Sequence, residues 1–176
     1  DLAMKIALVS PFDYSSPGGV TTHICQLERC FKELGHQVKV LAPCSRPAPH
    51  FSSDVIPLGR PIPVPSGGSF ARVALSPRLL LQVRGVLERE SFDIVHAHDP
   101  LTPVLPPAVL TQARVPKVGT FHAYHSKPRG YFLFKPVLSR WFQHLDALIA
   151  VSEPARDFAS RHFPGEYRVI PNGIDY

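Results

Sequence analysis

Short apolar runs and stretches of helical periodicity take turns along nearly the whole chain, and that alternation narrows its possible folds more than any other feature. Residues 5–10, KIALVS, read as a buried strand closed by Pro11. From Val20 the apolar positions Val20, Ile24, Leu27, Phe31 and Leu34 recur at intervals of 4, 3, 4 and 3. This spacing lines one face of a helix, and Gly35 supplies its stop. QVKVLAP (37–43), DVIPLG (54–59, weakened by Pro57), FDIVHAHD (92–99), PKVGTFHA (116–123), LDALIAVS (145–152) and YRVIP (167–171) read as further strands. A helix over residues 77–90, opened by Ser76-Pro77, is expected to bury Leu79, Leu80, Val83 and Leu87. Others are expected within 101–114, where prolines break it, near 131–144 and near 154–163. Residues 60–70, rich in Pro, Gly and Ser, read as an exposed loop. Strand and helix in alternation predict an α/β, doubly wound, mainly parallel sheet with helices on both faces.

A chain of 176 residues, 44% of them hydrophobic, fills one core rather than two. The 20 prolines, about double average usage, stiffen its connections. A formal charge of +5 suits an anionic partner: a phosphate-bearing ligand, a membrane surface or nucleic acid. The basic residues form no tract interleaved with aromatics, and this argues against nucleic acid; the one loose set is Arg72, Arg78, Arg84 and Arg89. Cys25, Cys30 and Cys44 are odd in number and lack CxxC spacing, so neither a disulfide framework nor a structural zinc site is expected, and a reducing compartment fits. The two cysteines of the first helix read as packing. No run reaches the roughly 18 apolar residues of a spanning helix. Asp1, Leu2 and Ala3 are expected to be an extension ahead of a natural start at Met4.

In an open doubly wound sheet, ligands bind beyond the carboxyl ends of the strands, where strand order reverses. The strands above deliver Pro17, Gly18 and Gly19, then His96, His98 and Asp99, then His122, Tyr124 and His125, then Ser152 and Glu153, and last Asn172 and Gly173 to that edge. Gly18-Gly19 at a helix start offers unpaired amide donors to an anion with no side chain intervening. The same pair would equally serve a tight turn requiring positive φ. His96 and His98, two apart on a strand, share a face beside Asp99. With His122 they suggest a metal-dependent hydrolase; packed histidines lining a crevice are the plainer reading. His122 stands where a hydroxyl or phosphate could reach it, or is a core histidine. Lys127 and Arg129 would hold an anionic group or remain solvated charges. The arginine-bearing face of the 77–90 helix suits an anionic membrane surface, although Glu88 and Glu90 dilute its charge.

Taken in order, PGGV opening a helix, LGHQVKVLAP, FDIVHAHDP, GTFHA, LIAVSEPAR and VIPNGID resemble the N-terminal domain of the retaining, family-four GT-B glycosyltransferases. SPFDYSSPGGVTTH, FSSDVIPLG, LSPRL and FHAYHSK are most similar to the phosphatidylinositol mannosyltransferases among them. The resemblance implies that residues 4–176 are one of two Rossmann-like domains facing across a cleft, the acceptor side, with the C-terminal donor domain absent and this piece alone inactive. It implies a nucleotide diphosphate sugar (GDP- or UDP-hexose) as co-substrate, no tightly bound cofactor, and an inositol phospholipid or related acceptor. By the same resemblance Gly18 and Gly19 approach the donor diphosphate and His122 lies by the transferred sugar. Lys127 lies near the acceptor phosphate, and Phe12 and Thr21 stand where relatives carry tyrosine and glutamine. His98, Asp99, Tyr124 and Asn172 are further cleft candidates. A front-face reaction is implied, in which the leaving phosphate takes the acceptor proton; no Asp-x-Asp supports a metal-held donor. The implied location is cytoplasmic, peripheral to the inner face of the plasma membrane.

Overall fold

The alternation resolves into one parallel sheet. The computed structural model describes residues 2–45, 54–66, 69–74, 78–122 and 129–173. In chain order its elements are β1 (Lys5–Val9), α1 (Gly19–Glu33), β2 (Gln37–Ala42), β3 (Val55–Pro57), β4 (Pro61–Ser66), β5 (Ser69–Ala74) and α2 (Leu79–Glu90). They continue with β6 (Ile94–His98), α3 (Leu105–Gln112), β7 (Lys117–Phe121), α4 (Arg129–Phe142), β8 (Ala147–Ala150), α5 (Glu153–His162) and β9 (Tyr167–Val169). Seven strands form a sheet in the order β3-β2-β1-β6-β7-β8-β9, and each neighbouring pair is parallel. The chain builds outward from β1 to β3, then restarts beside β1 with β6. Strand order therefore reverses between β1 and β6, and a crevice opens there at the carboxyl ends.

Side-chain alternation along the strands sorts the two faces. Ile6 and Leu8 of β1, Val38, Val40 and Ala42 of β2 and Ile94 of β6 pack with Val20, Ile24, Leu27 and Phe31 of α1. Ala7, Val9, Leu41, Val95 and Ala97 point the other way, against Leu79, Val83 and Val86 of α2 and Leu105, Val109 and Leu110 of α3. His96 and His98 continue the parity of Ile94, so both belong to the face that α1 covers. A third cluster joins Phe121 to Leu138, Ala159 and Phe163 beneath α4 and α5.

Several expectations are corrected. Within the expected loop of 60–70, residues 61–66 and 69–70 are strand: Pro61–Ser66 pairs antiparallel with Ser69–Ala74. Pro61, Pro63 and Pro65 fall at alternate positions, so every missing N–H faces one edge of β4 and the other edge remains free to pair. The helix of residues 101–114 is not broken by proline; Pro106 and Pro107 occupy its first turn, where no N–H is needed. Leu80, expected inside, is 56% exposed, and Val86 takes the buried place on α2. Cys25 and Cys30 are exposed rather than packed. Ser76-Pro77 lies outside the described residues.

Candidate functional site

The loop from β1 to α1 is tied down by a buried carboxylate. Asp13 accepts hydrogen bonds from Ser15 N–H at 3.0 Å and Ser45 N–H at 3.0 Å, and from Ser16 Oγ at 3.2 Å. Burial pushes its carboxyl upward, but the Ser45 and Ser15 donors outweigh that and hold it below the ordinary aspartate value. Phe12 lies half-buried in the same loop, its N–H donating to Ser10 Oγ. The loop ends at Gly18, the N-cap of α1, with φ −174° and no side-chain cap. Neither Gly18 nor Gly19 has positive φ; Gly35 and Gly59 do. The turn reading of the glycine pair therefore loses its premise. A Cβ on Gly19 would meet nothing within 4 Å. What glycine leaves at this helix start is open approach to unpaired amides. Thr21 follows in the first turn, partly buried.

One turn further along α1, His23 reaches the histidines of the sheet. Its ring centroid lies 5.5 Å from that of His98 and 5.3 Å from that of His122, edge-on to both. His98 Nδ1 and His122 Nε2 are hydrogen-bonded at 2.9 Å. His96 stacks on His98 at 4.4 Å and its Nε2 bonds Thr120 Oγ1 at 2.7 Å. Asp99, in the left-handed region at φ 41°, accepts the backbone N–H of His122 on Oδ1 at 2.9 Å and donates its own N–H to Thr120 O. Gly18-Gly19, His23, His98, Asp99 and His122 thus share one rim at the β1/β6 reversal.

Burial, reinforced by the neighbouring histidines, depresses the basicity of these rings. His122 and His96 are each lowered to about 4, and His98 is lowered well below the ordinary value. All are neutral near pH 7 and serve as hydrogen-bonding groups rather than fixed charges. Neutral imidazoles also ligate metals. Among the described residues, His23, His98 and His122 bring ligand atoms within 4.8 Å of one another. The metal-hydrolase reading asked for His96, His98, Asp99 and His122, so it shares His98 and His122 with this cluster but also needs His96 and Asp99. Those two are turned to Thr120 and to the His122 backbone.

Comparison with known proteins decides the family. A sequence profile of Glycosyltransferase Family 4 matches residues 17–176. The chain belongs to glycosyltransferase family 4. It is 37% identical to a phosphatidyl-myo-inositol mannosyltransferase of Mycobacterium leprae (strain TN), over 98% of this chain and 46% of that protein. It is 34% identical to the protein of the same name from Mycolicibacterium smegmatis (strain ATCC 700084 / mc(2)155), over 98% of this chain and 44% of that one. The chain thus spans less than half the length of these curated relatives. Its fold is one half of the GT-B type. HepE of Anabaena, solved with UDP-glucose, superposes with TM-score 0.65 at 18% identity over 98% of this chain and 44% of its own. Sucrose-phosphate synthase of Thermosynechococcus elongatus gives 0.66 at 15% identity, over 96% of this chain and 48% of its own.

Other expected site residues of this family 4 chain stand apart. Asn172 is exposed beyond β9, three strands across the sheet from β6. Ser152 is occupied as the N-cap of α5, its Oγ accepting from Ala155 N–H at 3.2 Å, and Glu153 pairs with Arg156 at 2.6 Å. Tyr124, His125 and Lys127 lie outside the described residues, as does the side chain of Arg129. Sequence reading passed over His23 and Asp13. The signal for His23 was present: it falls three residues after Val20 and four before Leu27, flanking the stripe that faces the sheet. For the long-range role of Asp13 there was none, since Ser45, unlike its near neighbours Ser15 and Ser16, belongs to another loop.

Proposed function

We propose that this family 4 chain is the acceptor-side half of a retaining glycosyltransferase. The whole enzyme moves a hexose from a nucleotide diphosphate sugar to an acceptor hydroxyl, with a phosphatidylinositol-type lipid as the acceptor. One observation carries the reading: a glycine-opened helix start and the neutral ring of His122 meet, through His23, at the reversal point of a parallel sheet. The amides of Gly19 and its successors stabilise the donor diphosphate as negative charge grows on it. A ring with its basicity lowered to about 4 is a poor proton acceptor, so His122 orients the sugar while the leaving phosphate takes the acceptor proton. Lys127, matched by its motif, holds the acceptor phosphate. The donor is GDP- or UDP-hexose, and the facing domain that grips it lies in the rest of the full-length protein.

Peripheral attachment to an anionic membrane at the cytoplasmic face is part of this reading; what supports it is Leu80 and Leu81, 56% and 73% exposed on α2 beside Arg78 and Arg84. No helix among the described residues is long and apolar enough to cross a membrane.

The test is transfer of labelled hexose from GDP- and UDP-hexoses to phosphatidylinositol in vesicles by the full-length protein, with the product's anomeric configuration read by NMR. Retained configuration and a loss of about 100-fold or more in H122A are expected. No transfer from any nucleotide sugar, or inversion, overturns the reading.

A further inference from the structure

We propose that His98 is a positioning residue that holds His122 in its Nδ1–H tautomer, so that His122 meets a ligand as a hydrogen-bond donor. The role in transfer rests on the function proposed above; the tautomer stands on geometry alone. His98 Nδ1 and His122 Nε2 are 2.9 Å apart, and between two neutral rings only one proton lies in that contact. If His122 donated it, His98 would carry its own proton on Nε2. That atom is fully buried and has no partner. An orphaned buried N–H is rarer in folded proteins than an under-satisfied acceptor. The arrangement that avoids it puts the proton on His98 Nδ1, leaves His98 Nε2 bare, and obliges His122 to accept on Nε2 and protonate Nδ1.

Neither ring is free to turn away. His98 is stacked on His96 at 4.4 Å, and His96 is held by Thr120 Oγ1. His23 closes the remaining side against both His98 and His122. Asp99 fixes the backbone of His122 through its N–H. Among the described residues, His122 Nδ1 makes no hydrogen bond, so its proton is available to a lone pair on a ligand hydroxyl or phosphoryl oxygen. A donor at this place cannot deprotonate the acceptor hydroxyl. Its task is to hold an oxygen in place.

The tautomer is read directly from two-bond 1H–15N correlation spectra of the histidine-labelled chain near pH 7.5. A protonated Nδ1 and bare Nε2 on His122 are expected in the wild type; the Nε2–H form in that spectrum overturns the proposal without any variant. In H98L the constraint is gone, and the His122 spectrum is expected to move toward the Nε2–H form that free imidazole favours in water. H98N, whose amide reaches the place of Nδ1, is expected to keep the wild-type pattern. A folded H98L with an unchanged His122 spectrum refutes the positioning role. In the full-length protein, H98L is expected to lower kcat/KM by about 10- to 100-fold, with partial rescue in H98N. Wild-type kcat/KM alongside a shifted tautomer overturns the link to transfer. Full activity in H122A alongside the expected spectra would instead remove His122 from the reaction and leave the His98–His122 pairing standing.

Discussion

At Asp13 a single carboxylate joins two loops that are 32 residues apart in sequence. It is 1% exposed, and its removal takes the 3.0 Å acceptor from the N–H of Ser15 and from that of Ser45, leaving Ser45 N–H its longer bond to Ser15 Oγ at 3.2 Å. Asp13→Ala should therefore destabilise the chain by about 1–3 kcal/mol. Urea unfolding checks this: the midpoint falls while the slope is unchanged. Because the folded carboxyl sits below its ordinary value, this contribution is present above the unfolded pKa of about 4 and lost as pH falls through the folded one. None of this was legible beforehand. A residue spacing announces partners on one helix or one strand, and Ser45 is on neither. His23 differs, because its place beside the apolar stripe of α1 follows from periodicity. That it would meet His98 and His122 required knowing that α1 packs on the face where β6 and β7 display them.

Two glycines, one inside β7 and one opening α1, separate a packing requirement from a functional one. On β7, a Cβ at Gly119 would stand 2.9 and 3.0 Å from the Leu145 methyls and 3.1 Å from Pro100 Cγ. Gly119→Ala should cost about 1–3 kcal/mol of stability, since those side chains are themselves packed. At the start of α1, Gly19 has open space and no positive φ. Gly19→Ala should leave stability within about 0.5 kcal/mol of wild type, yet weaken binding of the nucleotide sugar by the full-length protein about tenfold or more. Melting temperatures for both variants and calorimetric titration for Gly19→Ala check the pair. A large stability loss in Gly19→Ala would return that glycine to a structural role. Elements with strong apolar periodicity were legible to within a residue or two: β1, α1, β2, β6, β7 and α5 all lie where the pattern put them. The β4–β5 hairpin was not, because proline and glycine content signals a loop. Only the pairing shows that the prolines share the unbonded edge.

The whole molecule concentrates depressed histidines in one crevice, so its stability should depend on acid. His96 and His122, each lowered to about 4, are neutral when folded, whereas the unfolded chain binds their protons from about pH 6.5 downward. The unfolded state thus holds more protons between those values. Stability is complete above about pH 6.5 and declines as pH falls toward 4, at no more than about 1.4 kcal/mol per pH unit for each ring. Urea midpoints at pH 7.5, 6 and 5 should fall in that order; equal midpoints would show that the rings are not buried neutral.

Apart from β4 and β5, the order of strands and helices was determined by the sequence alone, as were the parallel sheet and the family, since apolar periodicity and ordered motifs are local properties of the chain. The strand-order reversal at β1/β6 and the joining of His23, His98, Asp99 and His122 were decided only by the tertiary structure. Such contacts link residues up to 99 positions apart in the numbering, and distance along a chain says nothing of distance in space until the sheet has fixed which strands are neighbours.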